Sequence, residues 1–181
     1  LVYEPQPWLL FIYNLPAAPS RTRVYVWRKL KQAGAINYQQ SVWLLPDTAE
    51  THALFAALAK EIAEAGGTSS VMKGSTQNEA DEKRITEEFT AARNSEYEEI
   101  MERCEDFWAE IEKETKRQNF NYAEVEENEV ELAKLQKWFD LVKTRDFTGT
   151  EKQAAVVAML AKCEQLLREF SDRVFSIENK N

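Results

Sequence analysis

Apolar positions change period once along this chain. Near the N-terminus, WLLFIYN (8–14) and SVWLLP (41–46) are short, nearly continuous apolar runs, the pattern of buried strands. Between them Val26, Trp27, Leu30 and Ala33 recur at helical spacing, so a helix from about Arg21 to Ala33 is predicted with those four facing a sheet. Pro16 and Pro19 punctuate the loop before it, Ser20 is placed to cap it and Gly34 to end it. AINYQQ and SVWLLP read as two extended segments, or as one bent strand. Asp47 with Glu50 resembles an acidic cap for a helix over 48–65 that buries Leu54, Phe55, Leu58 and Ile62. Gly66-Gly67 ends that helix, and TSSVMKG (68–74) supplies a last strand.

From Asn78 onward the period is helical throughout. Ile85, Phe89, Ala92, Tyr97, Ile100, Cys104, Phe107 and Ile111 form one stripe, with Asn94-Ser95 the expected place for a break. After a turn at 119–121, Leu132, Leu135, Phe139 and Val142 mark a helix over about 124–145. Thr150 with Gln153 reads as a capping box for a last helix, about 151–175, carrying Val157, Leu160, Cys163, Leu167, Phe170 and Val174. The fold class expected is α+β: a ferredoxin-like βαββαβ unit over 1–75, then a long-helix antiparallel helical bundle over 76–181.

Charge sharpens that division. Of 181 residues, 1–75 carry seven Lys/Arg against five Asp/Glu, and 76–181 carry 16 against 26. An acidic second half repels nucleic acid, so any contact with DNA falls to the first half. Five of its seven cations (Arg21, Arg23, Arg28, Lys29 and Lys31) lie in one predicted helix. Ser20, Arg21, Arg23 and Arg28 at its start are the candidate anion-binding residues, because free N–H groups and the helix dipole already favour an oxyanion there. The alternative is a solvated cationic face paired with Asp47, Glu50 or the acidic half. Arg28, Lys29 and Lys31 are the candidate nucleic-acid contacts, and Trp27 is the one tryptophan that could stack beside cations.

Other candidates have plainer readings. His52, the only histidine, has no second histidine for a metal and no visible partner for acid–base work. Cys104 and Cys163 occupy core positions and read as small hydrophobes. Trp43, Trp108 and Trp138 read as packing residues, and the acid runs YEEIMERCEDF and NYAEVEENEVE as solvated faces. No metal or cofactor is expected. No apolar run approaches the roughly 20 residues that span a bilayer, no signal peptide is read, and the cytoplasm is the expected compartment.

The stretch WLLFIYNLP…SRTRVYVWRKLKQAGAINYQQSVWLLP resembles the N-terminal region of ChrB-type bacterial chromate-resistance proteins. The matching features are an apolar strand ending in Leu-Pro, an Arg-x-Arg helix start, Trp-Arg-x-Leu-Lys, Gly-Ala and a strand ending in Leu-Leu-Pro; Arg93, Glu96 and Tyr97 resemble a second element. The resemblance implies a cytoplasmic regulator of a chromate-efflux operon that binds DNA and responds to chromate, with a chromate- or sulfate-like oxyanion as ligand. It also implies the ferredoxin-like domain shared with the phenylacetate-operon repressor and small CRISPR-associated nucleases. Full-length members carry a further C-terminal domain with no counterpart in this sequence. The nucleases end the first strand in Asp where this chain has Tyr13-Asn14, and an Asn lacks the charge to hold a catalytic metal, so no enzyme is expected. A homodimer formed through the helical half is the expected assembly. The competing readings are a ligand-free interaction or assembly module and, behind it, a nuclease-like or chromate-reducing enzyme.

Overall fold

The computed structural model describes residues 6–18 and 20–179; Pro19, read as loop punctuation, lies outside them. The element order is β1 (Trp8–Asn14), α1 (Ser20–Gln32), β2 (Ile36–Gln39), β3 (Val42–Pro46), α2 (Ala49–Glu64), β4 (Thr68–Gly74), α3 (Glu79–Lys116), α4 (Tyr122–Thr144) and α5 (Lys152–Glu178). The fold is mixed α+β, with a four-stranded antiparallel sheet followed by helices. Two compact units divide at Ala91/Ala92, inside α3.

In the first unit the sheet order is β2-β3-β1-β4. Leu9 and Phe11 face α1 and α2, packing with Val26, Leu30, Phe55, Leu58 and Ile62. Trp8 turns to the opposite face, which Ile85 and Phe89 of the first turns of α3 cover. Trp8 stacks on Phe89 with centroids 5.3 Å apart and donates Nε1–H to Glu82 Oε2 at 3.2 Å. Burial on both faces is why β1 is nearly continuous in apolar residues rather than alternating. It is also why the unit extends beyond residue 75 into α3. β2 and β3 are separate strands, because Gln40 turns the chain at φ +37° while Asn37 Nδ2 bonds its carbonyl at 2.7 Å. Gly67 cannot carry a side chain: a Cβ there would stand 2.5 Å from the Asn14 carbonyl.

Four local expectations are corrected here. α2 is capped by Thr48, whose hydroxyl accepts from Thr51 N–H at 3.3 Å while Thr51 Oγ1 accepts from Thr48 N–H at 3.0 Å. Asp47 instead bridges Lys73 on β4 and His52, whose Nε2 lies 2.6 Å from Oδ1, so the lone histidine has a partner. α3 runs unbroken through Asn94-Ser95, since Arg93 and Tyr97 bury their side chains there and packing overrides the weak local propensity. No capping box starts α5: Glu151 precedes it without a side-chain bond, and only the Thr150 carbonyl accepts from Gln153 N–H, at 3.2 Å.

Hydrogen bonds from Lys73, then His52, hold the Asp47 carboxyl below its usual range. A depressed folded pKa contributes stability above the ordinary aspartate value, lost as pH falls through the folded one. Asp47→Asn should therefore be less stable than wild type near neutrality, and the gap should close in acid. Urea denaturation across pH checks this, and a pH-independent gap would contradict it.

In the second unit residues 92–116 of α3 share one core with α4 and α5. Glu96 meets Arg145 and Phe107 lies by Asn128's turn of α4, whereas Glu98 meets Lys152 and Cys104 meets Cys163. Thus α4 runs antiparallel to both neighbours and α5 runs parallel to α3. In the first turns of α5 the buried valine is Val156, and Val157, expected in the stripe, is exposed, whereas Val174 is buried as expected. Among the described residues no helix is long and apolar enough to cross a membrane.

Candidate nucleic-acid and oxyanion interface

Thirteen residues of α1, SRTRVYVWRKLKQ, hold five cations and no acid. Only Val26 and Leu30, one turn apart, are buried, so two contacts set the helix phase. Trp27, expected to face the sheet, is 50% exposed. One residue past Val26 it is rotated about 100° away from the core. Val24 and Tyr25 are exposed as well. A helix that leaves Val, Tyr and Trp in solvent among five cations has an unusual outer face.

The candidate residues separate around that helix. Ser20 is itself the first helical residue, not the residue before the helix, and it is exposed. Arg23 folds back over the preceding loop, donating Nη1–H to the Ala17 carbonyl at 3.2 Å. With Tyr13, Asn14, Val24, Trp27 and Ser41 it lines a shallow cavity of about 400 Å³. Burial pushes the Tyr13 hydroxyl up, against the opposing pull of Trp43 and, more weakly, of the Arg23 charge. Arg21 and Arg28, seven residues apart, return to within about 20° of each other, on the other side of α1 from Arg23. Lys29 lies over the Tyr25 ring and Lys31 over the Trp43 ring, each 5.7 Å from the centroid. α1 thus presents Arg23 with Trp27 at one flank and Arg21 with Arg28 at the other.

A second polar cluster lies in the helical unit. Arg93 is 6% exposed, and its Nη1 is 2.9 Å from Glu96 Oε2. The same carboxylate takes Arg145 Nε–H at 3.3 Å and its Nη2 as well. Fully buried Tyr97 donates its hydroxyl to Asp146 Oδ2 at 3.0 Å. Asp146 also accepts the N–H groups of Gly149 at 2.9 Å and Thr150 at 3.2 Å, which shapes the turn into α5. Burial first, then Asp146, drives the Tyr97 hydroxyl far up, and burial draws the Arg93 guanidinium down. Two guanidinium groups and two carboxylates balance, so the cluster fastens three helices. Arg93, Glu96 and Tyr97 are legible as a motif in the sequence, whereas Arg145 and Asp146, about fifty residues further on, carry no local mark of the cluster.

Among the described residues no group of three or more His, Cys, Asp or Glu could hold a metal. A family model described as "Protein ChrB, N-terminal" matches residues 23–181. That span includes Arg23, Arg28, Lys29, Lys31 and the Arg93 cluster, and starts after Ser20 and Arg21. No curated protein and no solved structure matches the chain.

Proposed function

We propose a regulatory role in chromate resistance for this chain, which belongs to the ChrB N-terminal family. In this reading α1 is the working surface: its cations take oxyanions, either the phosphates of the operon's DNA or chromate itself. Both are tetrahedral anions that charged, forked guanidinium groups bind well. The carrying observation is an acid-free helix with five cations and an exposed Trp27 beside Arg23. We read the βαββαβ order, with strand order β2-β3-β1-β4, as the ferredoxin-like arrangement that holds α1 outward. The helical unit would serve a homodimer.

Trp27 separates function from folding. Trp27→Ala should stay within about 0.5 kcal/mol of wild type, as exposed positions do. A sheet-facing tryptophan would instead cost about 3–5 kcal/mol. The same variant should weaken binding to a labelled duplex from a chromate-efflux promoter, read by fluorescence anisotropy. Unchanged affinity would remove Trp27 from the interface.

The oxyanion arm is read by calorimetry. Chromate or sulfate should raise the unfolding midpoint beyond chloride at matched ionic strength. At a hundred times the dissociation constant, linkage supplies about 2.7 kcal/mol. Arg23→Gln should remove the effect without unfolding the chain. An identical anion response in that variant would leave α1 as a docking surface for DNA or for another protein.

A further inference from the structure

We infer that Cys104 and Cys163 form a modification site, a buried dithiol that closes to an intramolecular disulfide joining α3 to α5 when a hydroperoxide reaches it. Both residues are fully buried, and they face each other across two helices that run in the same direction. The Cys163 thiol donates toward the Cys104 carbonyl across 3.9 Å, which brings the two residues together at one level of the bundle. Packing alone requires no second sulfur at this point, and an apolar pair would fill the space without it.

The surroundings distinguish the two sulfurs. Trp108 donates its Nε1–H to Cys163 Sγ at 3.1 Å, and the Lys162 ammonium stands 3.6 Å over the same indole. The Trp108 N–H aimed at Cys163, with the Lys162 ammonium over the same indole, favours negative charge on that sulfur. Cys163 is therefore the attacking thiolate and Cys104 the resolving thiol. Access comes through Trp108, which is only partly buried. It lines an open groove of about 840 Å³ between α3 and α5, floored by Ile111, Leu166 and Phe170. The indole that bonds the sulfur is thus also a wall of the groove.

The chemistry balances in two steps. Cys163 thiolate attacks the peroxide O–O bond, takes one oxygen as a sulfenic acid and releases water, or an alcohol from an organic peroxide. Cys104 sulfur then attacks Cys163 Sγ, the S–S bond forms and the sulfenic oxygen leaves as a second water. Two thiols are oxidised by two electrons and one peroxide is reduced. A closed four-ligand thiolate metal site is a poorer account, since the described residues add no third ligand.

The test uses the full chain, folded, with graded hydrogen peroxide, followed by acid quench, denaturation, alkylation and intact mass. The expected product has lost both alkylatable thiols and two hydrogens, stays monomeric on a non-reducing gel, yields a Cys104–Cys163 peptide and reverts with dithiothreitol. Cys104→Ser should stop at a dimedone-reactive Cys163. Retention of both thiols, oxygen gained without the linked peptide, or only intermolecular dimers would each overturn the inference.

Discussion

Glu96→Ala is expected to destabilise the helical unit by about 3–5 kcal/mol, the cost of breaking a buried ion pair from one side. The Glu96 carboxylate lies between Arg93 and Arg145, whose side chains are 7% and 14% exposed. Without it two like charges remain close together with little water to screen them. Arg93 already pays for desolvation, which lowers its pKa despite Glu96. Glu96→Gln keeps the shape and an acceptor but not the charge, and should fall between wild type and alanine. Replacing Arg93 and Glu96 together by Met and Leu should recover much of the loss, because a buried ion pair exchanged for apolar groups is often neutral. Urea denaturation of the three variants decides. A loss below about 1 kcal/mol for Glu96→Ala would mean that solvent reaches the guanidinium groups.

What could be read in advance follows the range of the interaction. β1 was legible because burial on both faces leaves a local mark, an unbroken apolar run. The stripe from Ile85 to Ile111 was legible because each residue repeats the phase of the one before it. Trp27 was misread since hydrophobicity states what a side chain prefers, while Val26 and Leu30 decide where the helix turns it. Val156 and Val157 are the same ambiguity, two equal side chains one residue apart, resolved only by the core. The unbroken α3 at Asn94-Ser95 reflects tertiary burial of its neighbours. In the candidate site the cations of α1 were plain from composition. Their division into two flanks needed the helix phase, and Arg145 beside Arg93 needed the chain's return through α4. The Cys104–Cys163 pairing is likewise a property of two helices meeting.

Removing charge from α1 should change DNA binding more than any other alteration of the first unit. Each phosphate contact a cation makes releases counterions and adds about 0.9 to the slope of log affinity against log salt. Arg21→Gln, Arg23→Gln and Arg28→Gln together should lower that slope by about 2.7 if each touches one phosphate. Between 50 and 200 mM salt the wild type would then lose about 40-fold more affinity than the triple variant. Stability should hardly move, because all three side chains are exposed and α1 is anchored by Val26 and Leu30. Order within the set is informative. Arg21 and Arg28 share a flank and can follow one backbone, so their double variant should account for most of the change. Arg23, turned onto the Ala17 carbonyl beside Trp27, should contribute less to the salt slope and more to any response to a small oxyanion. Anisotropy titrations of the single, double and triple variants over a salt series separate these terms. An unchanged slope in the triple variant would place the DNA elsewhere and leave α1 to a small anion or an acidic protein partner.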